Sequence, residues 1–261
     1  MNNLKISLIL STLGTRKNEF IRLIDSLVNQ KYKNFEFIVV SQDNHNIINT
    51  ILSNSPLTFL HIKSNLKGLS RGRNIALKKI SGDLFCLTDD DCWYPDDALQ
   101  RVNDFFCKHE NIDVVSYQIF DPESNLYYKQ YPLQPFKLNI LNVTKCSSIE
   151  LFIKNSNKIN SISFDESFGL GAEYPGSEEI IFLADLLKIR CTIFYLPEII
   201  VFHNIKNLAS SKFNNKRMQT ALHVFVRLYS RPWGIFLYYM FFLKYLRKVE
   251  NKISSLFLKF P

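Results

Sequence analysis

Residues Leu84-Phe85-Cys86-Leu87-Thr88 form an apolar run of strand length that drives into three adjacent carboxylates, Asp89, Asp90 and Asp91. Cys92-Trp93-Tyr94-Pro95 follow, and the proline opens a helix expected over 96–109. Three like charges side by side repel one another, so a fold tolerates them mainly where a cation sits. Carboxylate oxygens suit Mg2+ or Mn2+, and Mg2+ often joins one or two carboxylates to substrate phosphates. The end of a buried strand in an open α/β sheet is also where ligands bind. The plainer alternative is a solvated acidic turn capping the next helix, because Asp favours helix N-termini.

The segments before the acids share one rhythm. Residues 5–11 read as a buried parallel-type strand, and 18–30 carry Phe20, Ile21, Leu23, Ile24, Leu27 and Val28 at helical spacing. Residues 35–40 read as a second strand ending in Ser41-Gln42-Asp43, 46–53 as a helix and 57–62 as a third strand. Gly68-Leu69-Ser70 then leads into a helix over 71–79. Strand and helix alternating at this spacing predict an α/β fold with a mostly parallel central sheet flanked by helices. Further on, 113–120 read as a strand, 147–153 as an antiparallel strand, 178–189 as a half-buried helix and 195–203 as a last strand ending in His203.

These segments carry a resemblance. Ser7-Leu8-Ile9-Leu10-Ser11-Thr12, Asp25-Ser26-Leu27-Val28-Asn29-Gln30 and Glu36-Phe37-Ile38-Val39-Val40 are similar to the N-terminal half of family 2 glycosyltransferases. So are Gly68-Leu69-Ser70-Arg71-Gly72-Arg73-Asn74 and the stretch from Thr88 to Pro95. The resemblance runs over about residues 5–203 and implies a GT-A fold, a nucleotide-sugar donor, Mn2+ or Mg2+ as cofactor, and inversion at the sugar. It puts Ser11, Thr12, Gln42 and Asp43 at the nucleotide base. The family often has two acids where this chain has Ser41-Gln42, and an amide can still satisfy a base edge. Asp43 serves equally as a helix N-cap.

The resemblance further implies that Arg73, and with less support Arg71, grips the donor diphosphate. The triple acid permits two registers of the family's Asp-x-Asp motif, so Asp89 and Asp90 face the donor and Asp90 and Asp91 lead as metal ligands. His203 matches the family's final His, at a metal or diphosphate; a lone His beside an apolar run is otherwise a core residue. Glu178 and Glu179 follow a Gly-rich loop in the first turn of a helix, where acids also gain from the helix dipole. The family's second acid is the general base, a place that Glu179 takes, with Glu178 as the alternative.

Charge is unevenly spread. Eleven of the 32 Lys and Arg residues follow Ile205 against one acid, Glu250, so the tail carries +10 and the remainder −2. The tail also contains Trp233-Gly234-Ile235-Phe236-Leu237-Tyr238-Tyr239-Met240-Phe241-Phe242-Leu243, then Lys244, Arg247, Lys248 and Lys252. That run is shorter than the roughly 20 residues that span a bilayer. An aromatic segment with basic flanks suits the headgroup boundary of an anionic leaflet. It is too long for the interleaved stacking residues of a nucleic-acid binder, so nucleic acid is not expected. The other reading is a packing helix or a homodimer surface. Cys86, Cys92, Cys107, Cys146 and Cys191 are odd in number and show no metal-ligand spacing, which reads as reduced core thiols of a cytosolic protein. Residues 5–10 read as a short strand, not a cleavable leader.

Three functions compete at this point. A metal-dependent inverting glycosyltransferase acting in surface-polysaccharide synthesis on a lipid-linked glycan, peripheral on the inner face of the cell membrane, fits most features. A sugar-nucleotide nucleotidyltransferase would show a Gly-rich basic loop after the first strand, which Leu13-Gly14-Thr15-Arg16-Lys17 only approximates. An inactive binding module has no need of the Asp, Glu and His positions. The expected organisation is a GT-A domain over 1–204, split into a donor half (1–110) and an acceptor half (111–204), with a basic helical tail over 205–261.

Overall fold

The structure is a computed structural model that describes residues 3–205 and 213–258. In chain order the strands are β1 (Ile6–Thr12), β2 (Phe35–Ser41), β3 (Phe59–Lys63), β4 (Leu84–Thr88), β5 (Cys92–Trp93), β6 (Val114–Asp121), β7 (Leu126–Tyr127), β8 (Phe136–Lys137), β9 (Leu151–Lys154) and β10 (Ile193–His203). The helices are α1 (Lys17–Val28), α2 (His45–Ser53), α3 (Leu69–Leu77), α4 (Ala98–Lys108), α5 (Glu178–Lys188), α6 (Asn215–Leu228), α7 (Arg231–Lys244) and α8 (Lys252–Leu256).

One sheet runs β3-β2-β1-β4-β9-β6-β10-β5, with β7 on β6 and β8 on β10. The strands β3, β2, β1 and β4 are parallel neighbours, as the alternating pattern requires. β9 enters antiparallel between β4 and β6 and joins the four parallel strands to the later ones. The period of two along a strand divides the core. Ile6, Leu8 and Leu10 of β1 pack with Phe20, Leu23, Ile24 and Leu27 of α1 and Leu99 and Val102 of α4. Ile9 points the other way and joins Ala76 of α3 and Phe182, Leu183 and Leu186 of α5. β10 keeps Pro197 by shifting register between Tyr195 and Ile199, since proline cannot donate to a ladder.

The tail folds against this body. Val224 and Leu228 of α6 pack on Phe168, Ile181 and Ala184. The Asn214 side chain caps α6 by accepting from the Arg217 N–H at 2.9 Å. Gly234 lets α6 and α7 cross closely, because a Cβ there would lie 2.4 Å from the Val226 Cα. The apolar run is therefore two surfaces on one helix. Tyr238 and Phe242 are buried on Met218 and Leu222, whereas Trp233, Phe236, Met240 and Leu243 are 52–65% exposed. Among the described residues no helix is long and apolar enough to cross a membrane.

Candidate active site

A cleft of about 390 Å3 opens where the C-terminal ends of β1, β2 and β4 meet the start of α3. Ser11, Thr12, Arg16, Gln42, Asp90 and His203 are among its lining, and Leu170 and Gly171 close one side. The parallel pairing of Leu10 with Thr88 sets the end of β1 beside the acid cluster. α3 can approach β1 because residue 72 is glycine: a Cβ there would sit 2.0 Å from the Ser11 Oγ.

The three Asp side chains have different partners. Asp90 accepts from the Thr12 hydroxyl at 2.6 Å and from Arg16 at 3.3 Å; burial pushes its carboxyl up, against those bonds. Asp91 pairs with Arg16, and its Oδ2 is 3.4 Å from the His203 Nε2. Burial alone would raise the Asp91 carboxyl, but the bond to His203 and the charges of His203 and Arg16 bring it below the usual carboxylate value. Asp89 lines the same cleft and accepts from Arg73 at 3.1 Å.

Arg73, expected on the donor diphosphate, does not reach the cleft. It is 1% exposed, and its other guanidinium nitrogen donates to Glu178 at 2.7 Å. The Glu178–Arg73–Asp89 chain ties the head of α5 to α3 and to the end of β4, so Glu178 is occupied as a charge partner. Arg71 also lies outside the cleft, in an adjoining hollow, bound to Glu166 at 3.0 Å. Gln42 lines the cleft, but its amide is spent on Gly68, donating to the carbonyl at 2.7 Å and accepting from the N–H at 3.0 Å. It positions the turn before α3 and keeps one N–H and one lone pair beyond those two bonds. Asp43 is exposed and holds Lys67 at 2.7 Å.

Glu179 is the contrasting acid. Among the described residues no side chain bonds to its carboxylate. Burial pushes its carboxyl up to about 8, and the Glu178 charge adds to the rise. The loop before it is fastened to α3: the Ser70 hydroxyl donates to the Phe168 carbonyl at 2.6 Å and the Leu69 N–H to Leu170 at 2.9 Å. Gly176 (φ +95) and Ser177 (φ +65) then turn the chain into α5, which sets both glutamates in its first turn. Tyr128 feels the charges of Asp89, Asp91 and Glu179, and its ring meets His203 edge-on at 5.4 Å.

Among the described residues no group of three or more His, Cys, Asp or Glu converges as an ion-holding cage. Asp91 and His203 do converge at the cleft, and a carboxylate with an imidazole is a donor set that Mn2+ accepts. The residues fit a cation completed by diphosphate oxygens, in the way Mg2+ sites pair few carboxylates with substrate phosphates.

Sequence reasoning missed Arg16 and Tyr128. The available signal was a base following β1 next to the strand that ends in acids, and a Tyr-rich stretch after β6.

The chain spans from 17% to 39% of the length of four curated relatives that it matches. One is the minor teichoic acid biosynthesis protein GgaB of Bacillus subtilis, 27% identical over 166 residues, which are 58% of this chain and 18% of that protein. Among solved structures, S. aureus TarS 1-349 in complex with UDP-GlcNAc superposes with a TM-score of 0.67 at 18% identity, over 98% of this chain and 76% of that one. The mannosyltransferase PcManGT from Pyrobaculum calidifontis, in complex with GDP-Man and Mn2+, gives 0.64 at 11% identity over 98% and 79%. These likenesses show the GT-A fold. The family model Glycosyl transferase family 2 matches residues 7–168, more than half of the chain, and the protein belongs to that family.

Proposed function

We propose that the protein transfers a sugar from a nucleotide-diphosphate sugar to a hydroxyl of a glycan acceptor, with inversion, in surface-polysaccharide synthesis. The observation that carries this is a division of labour between two acid groups that the Glu178–Arg73–Asp89 chain links. The cleft gathers Asp90, Asp91 and His203, while a carboxylate without a cation partner, Glu179, waits at the head of α5. The nucleotide sugars in the complexes of TarS and PcManGT support the donor class, and the part of GgaB in minor teichoic acid biosynthesis supports the polysaccharide setting.

Glu179 takes the proton of the acceptor hydroxyl, whose oxygen attacks the anomeric carbon. The bond from that carbon to the diphosphate breaks, and the nucleoside diphosphate leaves with the electron pair. Asp90 or Asp91, with His203, would hold Mn2+ or Mg2+, which offsets charge on the leaving group. Release of nucleoside diphosphate from a panel of nucleotide sugars, with lipid-linked glycan acceptors, tests the reading. No release from any donor contradicts it.

Asp91→Ala is expected to abolish Mn2+-dependent donor binding while the melting temperature stays near that of the parent protein, and Asp90→Ala to do the same. Equal donor affinity of the parent protein with and without EDTA contradicts the metal assignment.

The same reading puts the protein on the inner face of the cell membrane, with a lipid-linked acceptor. The exposed stripe of Trp233, Phe236, Met240 and Leu243 is flanked by Lys244, Arg247, Lys248 and Lys252. Each base near an anionic surface contributes about 1 kcal/mol. The full chain is expected to float with phosphatidylglycerol vesicles and to be released by high salt. Changing the four stripe residues to Ser, which leaves Tyr238 and Phe242 in place, is expected to keep it in solution. If the parent chain floats with neither anionic nor neutral vesicles, the stripe is a homodimer or packing surface.

A further inference from the structure

Arg16 lies in the loop between β1 and α1 and contacts both leading acids. Its Nη1 donates to the Asp90 Oδ1 at 3.3 Å and also to the Asp91 Oδ2. That Asp91 oxygen is the one facing the His203 Nε2 at 3.4 Å. The guanidinium therefore rests on the oxygen that a cation shared with His203 would need. We propose that Arg16 is an internal counter-cation: it holds the Asp90–Asp91 pair in the donor-free protein and passes to the diphosphate when nucleotide and metal enter. The inference rests on the reading of the cleft as a nucleoside-diphosphate site.

The mobile member of the group is Arg16. The Asp90 Oδ2 is fixed by the Thr12 hydroxyl at 2.6 Å, and Thr12 is in turn held by the Gly14 N–H at 2.8 Å. The Arg16 side chain is 52% exposed and makes no helix-capping bond at the start of α1. It can swing without disturbing the core. A guanidinium and a divalent cation repel strongly at contact distance, so both cannot hold the same carboxylate oxygen. A planar guanidinium matches phosphate oxygens, and Arg16 lines the cleft in which they would lie. Metal uptake is then weak until a phosphate gives Arg16 another partner.

The test compares the parent protein with R16Q and R16K, after melting curves show that each is folded. Mn2+ is titrated without nucleotide and free Mn2+ is read by electron paramagnetic resonance. UDP and GDP are then titrated calorimetrically with Mn2+ present. R16Q is expected to bind Mn2+ alone at least about tenfold more tightly than the parent, and to bind the preferred nucleotide at least about tenfold more weakly. R16K, which keeps the charge, is expected to bind Mn2+ like the parent. If R16Q gains no Mn2+ affinity, the counter-cation is overturned. If it gains Mn2+ affinity but keeps its nucleotide affinity, the transfer to phosphate is overturned. A parent protein that takes up neither UDP nor GDP, while R16Q gains Mn2+, overturns the nucleotide reading and leaves the counter-cation standing.

Discussion

Glu179→Gln is expected to leave donor binding nearly intact while turnover falls by about 10²-fold or more, the usual range for losing a general base. The amide keeps the size of the side chain and removes its basicity. The change also carries a pH signature. A base acts deprotonated, and burial holds the Glu179 carboxyl at about 8, so turnover of the parent protein rises with pH and levels off above that value. The variant loses this rise. Stability moves oppositely. A carboxyl whose pKa is raised on folding stabilises fully below its ordinary value of about 4.5, and that contribution is lost as pH climbs through about 8. Thermal unfolding of the parent between pH 5 and pH 9 should decline more than that of Glu179→Gln. A variant with normal turnover and an unchanged pH profile would assign the base elsewhere.

Glu178→Gln is expected to act on the fold. Arg73 is sealed from solvent between Glu178 and Asp89, and removing one partner of a buried ion pair costs about 3–5 kcal/mol. For a chain of this length that is a fall in melting temperature of roughly 10 °C. Replacing Arg73 and Glu178 together by Met should cost less than the single change, because both sealed charges go and the Asp89 left behind is 34% exposed to solvent. Melting curves of the single and double variants check this. If Glu178→Gln keeps its melting temperature and loses turnover, the roles of the two glutamates are reversed.

The contrast between these neighbours shows what a sequence can carry. The strands β1, β2 and β4 were legible because buried parallel strands are short apolar runs, α1 followed from apolar spacing, and α3 from the glycine turn before it. The acid cluster was legible because no core accepts three carboxylates. Glu178 and Glu179 differ only in which face of the first turn of α5 each occupies, and that depends on a partner 105 residues away. Arg73 reads the same on a surface or in a sealed pair. Arg16 became visible only once β1 and β4 lay side by side. Gln42 showed the right chemistry for a base edge, yet the turn at Gly68 uses both ends of its amide. In the tail, an unbroken apolar run gave no sign that Tyr238 and Phe242 face inward while Trp233 and Phe236 face out. Both are apolar, and the packing of α6 decides between them.

The central claim is that the cleft at the ends of β1, β2 and β4 takes a nucleotide-diphosphate sugar together with a divalent cation. Thermal unfolding in Mn2+ with a panel of nucleotide sugars, UDP-GlcNAc and GDP-Man among them, tests it most directly. A ligand at 100 times its dissociation constant stabilises by about 2.7 kcal/mol, so at least one donor should raise the melting temperature by roughly 5–10 °C. EDTA should remove most of that rise. A panel in which no nucleotide sugar shifts the transition, with or without Mn2+, would contradict the account.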